Sequence, residues 1–76
     1  MTHLKFEVIE QKPKTKVYSV ISAHDKSRLG KIYWYGRWRG YIFEPYPDTI
    51  WSEDCLEEVY KFLKSLRIER ILNLMP

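Results

Sequence analysis

The chain has 76 residues, a formal net charge of +3 and one cysteine. That length makes one domain, residues 1–76, and a lone cysteine excludes an internal disulfide. No Cys/His spacing of the zinc type, no cofactor motif and no apolar run of membrane-spanning length is present, and the opening Met-Thr-His-Leu-Lys-Phe-Glu does not read as a signal peptide. The expectation is therefore a cytoplasmic protein with no metal and no cofactor, whose mild positive charge permits an anionic partner without demanding one.

Leu4, Phe6 and Val8 alternate with Lys5, Glu7 and Ile9, which predicts a first strand. Gln11-Lys12-Pro13-Lys14 turns the chain, because proline cannot donate to a central ladder. Residues 16–22 are rich in β-formers (Val17, Tyr18, Val20, Ile21). Their ambiguous alternation suggests a strand covered on both faces or lying near the sheet centre. Residues 23–28 read as a polar loop.

Residues 29–43 hold six aromatic residues, all three glycines and three basic residues. Their composition suits a hairpin, with Gly36 expected to supply a positive φ at the turn. Side chains alternate with a period of two, so the loop length decides which residues share a face. A loop of residues 36–38 places Ile32 opposite Ile42 and Trp34 opposite Gly40. A loop of residues 36–37 gathers Ile32, Trp34, Arg39, Tyr41 and Phe43 on one face. Sequence alone leaves both open. Either way Ile32 and Trp34 share a face, and Lys31, Tyr33 and Tyr35 share the other. Burying the first pair costs less, since lysine is rarely buried without a partner, and Trp34 is expected in the core.

Two prolines in residues 44–48 stiffen the exit from the last strand. Ser52 is a suitable helix N-cap, and Glu53 and Asp54 suit the first turn. Cys55, Leu56, Val59, Tyr60, Leu63 and Leu66 recur at helical spacing as one apolar stripe, with Glu57, Glu58, Lys61 and Lys64 away from it. Residues 67–76 carry a shifted apolar face, Ile68, Ile71, Leu72 and Met75. They extend the helix, as the interface of a homodimer, or break from it near Ser65 and fold back on the sheet edge. The predicted class is α+β: a three- to four-stranded antiparallel sheet in residues 1–44 with one long C-terminal helix, residues 52–66 and its extension, packed on one face.

The charge is unevenly spread. Residues 1–43 hold nine Lys/Arg against three Asp/Glu, whereas residues 44–58 hold six Asp/Glu and no Lys/Arg. His24-Asp25 is the one pairing with the form of a general base and its orienting carboxylate, but it sits in a polar loop with no nucleophile nearby. Cys55 lies at a helix N-terminus, where thiols acidify, yet on the apolar stripe, where cysteine serves as a small hydrophobe. Glu53, Asp54, Glu57 and Glu58 read as a solvated helix face. No catalytic motif is present, so the chain reads as a non-catalytic binding module. The candidate surface is the hairpin's Lys31, Tyr33, Tyr35, Arg37, Trp38 and Arg39. Aromatic faces stack bases and Arg or Lys meets phosphate, which suits nucleic acid. Tyr, Trp and Arg also dominate protein interfaces, which suits a protein partner or an inhibitor role, and the same residues can simply cover a sheet.

The run Leu29-Gly30-Lys31-Ile32-Tyr33-Trp34-Tyr35-Gly36-Arg37-Trp38-Arg39-Gly40-Tyr41-Ile42-Phe43, with Pro45 and Cys55-Leu56, resembles a family of short uncharacterised proteins of bacteriophages and other mobile elements. The likeness covers about residues 17 to 66 and rests on the Leu-Gly, Trp-Tyr-Gly and Trp-Arg positions. The chain departs from the family at Glu44, where an aromatic residue is common, and in the tail from Arg67. The resemblance implies an accessory or regulatory binding protein rather than an enzyme, and carries no functional residue over.

Overall fold

A computed structural model describes residues 2–74. Four strands, β1 (Leu4–Gln11), β2 (Lys16–Ser22), β3 (Arg28–Tyr35) and β4 (Gly40–Pro45), precede one helix, α1 (Glu53–Leu74). The strands pair in chain order as an antiparallel meander. The expected α+β class is what the molecule has, with four strands. β2 lies between β1 and β3, and Tyr18, Ser19, Val20 and Ile21 are all buried, which accounts for its unclear alternation. Two bulges interrupt the ladders, at Ile9 in β1 and at Leu29 in β3. The second lets Leu29 join the core as an extra residue opposite Ile21.

The β3–β4 register pairs Tyr35 with Gly40, Trp34 with Tyr41 and Ile32 with Phe43. The loop is therefore residues 36–39, longer than either expected length. Trp38 N–H donates to the Tyr35 carbonyl at 3.1 Å and Arg39 N–H to the Gly36 carbonyl at 3.2 Å. These successive turns leave one left-handed residue to re-enter β4. That residue is Arg39 (φ 52°), and Gly36, expected to fill the role, has no positive φ. Loops of four residues built on such turns are a common hairpin solution. Four residues differ from two by an even number, so Ile32, Trp34, Tyr41 and Phe43 still share a face.

That face receives α1. Leu4, Tyr18, Val20, Ile32, Val59 and Leu66 form the core, with Phe6, Phe43, Trp51, Cys55, Phe62 and Leu63 packed around it. The Phe6 and Phe62 rings stack at 4.1 Å, and Tyr18 meets Phe62 edge-on at 5.0 Å. Ser52 caps the helix through Cys55 N–H to Oγ, 3.2 Å. The helix phase differs from the expected stripe: Leu56 and Tyr60 are exposed, and the half-buried Phe62 packs against the core beside Cys55, Val59 and Leu66. Positions 55, 59, 62, 63 and 66 follow one line of i, i+4 and i+7 neighbours, and 56 and 60 sit one residue round from it. Glu58 is also turned inward rather than solvated. Its carboxylate accepts from the His3 and Leu4 backbone N–H groups at 3.0–3.1 Å and ties the start of β1 to the helix.

The helix is unbroken from Glu53 to Leu74, so residues 67–74 neither bend at Ser65 nor fold back. Twenty-two helical residues span about 33 Å, whereas an eight-residue strand spans about 26 Å. α1 is therefore longer than the strands it packs on. Ile68, Ile71 and Leu72 are exposed. Met75, expected with them, lies outside the described residues.

Candidate functional site

A groove lies between the hairpin and α1. Trp34 and Tyr41 face each other across the β3–β4 ladder, rings edge-on at 5.6 Å. With Gly40 and the tip residues Trp38 and Arg39 they form one wall, and Tyr60, Leu63, Lys64, Arg67 and Arg70 form the other, around about 490 Å³. Lys64, Arg67 and Arg70 are spaced three apart, which sets them along one helix line. Among the described residues lining this groove none is acidic, and Arg39, Lys64, Arg67 and Arg70 make no ion pair with a described residue. Four cations converging without counter-charge repel one another, which an anion entering the groove would relieve.

Arg70 caps the site. Its guanidinium carbon lies 4.0 Å from the Trp34 ring centroid. On its other side a second groove of about 590 Å³ runs to the β1–β2 turn, lined by Gln11, Pro13, Lys14, Thr15, Lys16, Tyr18, Tyr41, Leu66, Glu69 and Arg70. Tyr41 and Arg70 line both grooves. The Tyr41 hydroxyl accepts from Lys16 N–H at 3.2 Å, which fixes that ring across the strand ends. Burial first, then the neighbouring Tyr41 and Glu69, push the Tyr18 hydroxyl above the usual phenol range. The negative end of the helix dipole acts within the last turn, beyond Arg70.

The six candidate residues do not form one surface. Lys31, Tyr33 and Tyr35 lie on the sheet face opposite α1, together with Ile42 and Glu44. There Lys31 pairs with Glu44 at 3.5 Å and sits 5.0 Å over the Tyr33 ring, and the Tyr33 hydroxyl donates to Glu44 at 3.4 Å. Lys31 is thus engaged within its own sheet. Arg37, Trp38 and Arg39 form the tip; only Trp38 and Arg39 reach the groove. Trp38 is 73% exposed, with Tyr35 against it edge-on at 5.2 Å. Trp34, expected in the core, is on the helix-facing side but half-buried, because the helix meets it with Arg70 rather than an apolar side chain. Trp34, Tyr41, Tyr60, Lys64, Arg67 and Arg70 were missing from the sequence-based surface. The three-residue spacing of Lys64, Arg67 and Arg70 was the available signal.

His24 and Asp25 do not form an acid–base pair. Asp25 accepts from Ser27 N–H at 3.0 Å and Ser27 hydroxyl at 2.7 Å, which hold its exposed carboxyl below the usual range. His24 packs toward His3, ring centroids 5.9 Å apart. Cys55 is half-buried beside the core. Glu57 pairs with Lys61 at 3.0 Å, and among the described residues no group of three or more His, Cys, Asp or Glu is gathered as a metal site. No described helix is long and apolar enough to cross a membrane. No family model, curated protein or solved structure matches the chain.

Proposed function

We propose that the protein is a small, non-catalytic nucleic-acid-binding module whose contact surface is the hairpin tip and the groove it shares with the end of α1. One observation carries this reading: Trp34, Trp38, Tyr41 and Tyr60 interleave with Arg39, Lys64, Arg67 and Arg70 around an open groove with no acidic residue among its described lining. Aromatic faces and cations in alternation are the chemistry that takes bases and phosphates together. The resemblance to short mobile-element proteins suits an accessory or regulatory role of this kind. A cytoplasmic location, where nucleic acid and a reduced Cys55 coexist, belongs to the same proposal.

The test is a titration against labelled single- and double-stranded DNA and RNA at two salt concentrations, repeated with Arg37→Ala, Arg39→Ala and Arg67→Ala. Log affinity should fall linearly with log salt, by about 0.7 per phosphate contact on a single strand and about 0.9 on duplex DNA. Arg39→Ala and Arg67→Ala should each flatten the slope by roughly one contact. No binding at low salt, or binding that all three substitutions leave unchanged, removes the proposal. A protein partner, whose affinity depends far less on salt, then takes its place.

A further inference from the structure

We infer that the strand taken by this surface is single, and that one unpaired base stacks on Trp34 in the position the Arg70 guanidinium occupies in the free protein. The inference rests on the nucleic-acid reading and adds which form binds and where its base goes.

Trp34 has one ring face under a flat cation at 4.0 Å and meets the Tyr41 ring edge-on. A guanidinium and a nucleobase are both planar and both lie on indole faces. The position is therefore already shaped for a flat, polarisable group. Arg70 is an exposed residue in the second half of α1. Its hold on Trp34 is an exposed cation–π contact, which is weak. Removing a base-stacking aromatic typically lowers affinity roughly 5- to 150-fold, so a base competes well for the ring.

Displaced from Trp34, Arg70 stays inside the track, because it lines both grooves. There its planar fork can hold a phosphate with two parallel hydrogen bonds. The same strand can run on past Tyr41 toward Lys14 and Lys16 at the β1–β2 turn. A duplex offers no such fit. Its base faces are stacked on one another, and presenting one to Trp34 requires flipping a nucleotide out at added cost.

The experiment uses the full chain and three probes: a single strand of roughly ten nucleotides, within the range of small single-strand sites, its duplex, and an abasic phosphodiester chain of equal length. Trp34→Leu should weaken single-strand binding roughly 5- to 150-fold and leave the abasic chain and the salt slope unchanged. Trp34→Tyr, which keeps an aromatic face, should restore most of the loss. With Trp38→Phe and Trp51→Phe making Trp34 the sole tryptophan, its fluorescence should be quenched by the base-bearing strand and not by the abasic one. An abasic chain that binds as tightly as the base-bearing strand overturns the inference and leaves a phosphate-binding surface standing. So does a duplex that binds more tightly than the single strand, or a Trp34→Leu protein that binds as before. Failure of every probe at low salt overturns the nucleic-acid reading itself.

Discussion

Gly30→Ala tests how the two halves of the fold meet. Gly30 lies in β3 opposite Pro45, with an ordinary extended backbone, so no left-handed conformation demands glycine there. Were chain entropy the only factor, alanine would stabilise by about 0.4–1 kcal/mol. Space decides the other way. A β-carbon at Gly30 would stand 2.7 Å from the Glu44 carbonyl oxygen, 2.8 Å from Phe43 Cε1 and 3.0 Å from Pro45 Cα. Two of these are backbone atoms of the paired strand. The third belongs to a ring held edge-on against Trp51 at 4.8 Å, whose indole N–H donates to Thr49 Oγ1 at 2.8 Å. None can withdraw without opening the β3–β4 ladder or moving the segment that leads into α1. Overpacking of this kind costs about 1–3 kcal/mol, which outweighs the entropy gain and lowers Tm by about 5–20 °C in a domain of this size. Gly36→Ala is the matched control. Its nearest atom is Trp34 Nε1 at 3.9 Å and its φ is not positive, so alanine should be neutral or slightly stabilising. Urea melts of both variants, with m unchanged, supply the comparison. A Gly30→Ala protein within about 0.5 kcal/mol of the parent refutes the packing argument.

Arg39→Gly should raise stability by about 1 kcal/mol, because Arg39 holds φ 52° at a cost glycine does not bear, while it weakens nucleic-acid binding; a variant both less stable and unimpaired in binding contradicts the assignment. Tyr18 has a folded-state pKa raised above its unfolded value, so its contribution is complete below about pH 10 and is lost as pH rises through the folded pKa. Thermal melts between pH 9 and 11 should show this alkaline decline, and Tyr18→Phe should lessen its steepness. The exposed Ile68, Ile71 and Leu72 predict concentration-dependent self-association by a two-fold dimer. Sedimentation that finds only monomer at high micromolar concentration, for the parent as for Ile71→Lys, counts against it.

Local patterns in the chain determine the fold class. The alternation of Leu4, Phe6 and Val8, the β-formers of residues 16–22, the glycine- and aromatic-rich run of residues 29–43 and the Ser52 cap each act within a few residues, and each forms the element its pattern predicts. Parity made Ile32 and Trp34 companions whatever the loop length, but whether Tyr41 and Phe43 joined them was settled only by the four-residue loop of the folded hairpin. Tertiary structure decided what depends on distant partners. The left-handed residue fell on Arg39 rather than a glycine because closing a four-residue loop required it there. Leu56 and Tyr60 left the core because the line through Cys55, Val59, Phe62 and Leu66 matched the sheet instead. The groove itself joins Trp34 to Arg70 across 36 positions of sequence. No local periodicity encodes that contact. It arises because packing sets where α1 crosses the sheet, and that crossing lays Arg70 over Trp34.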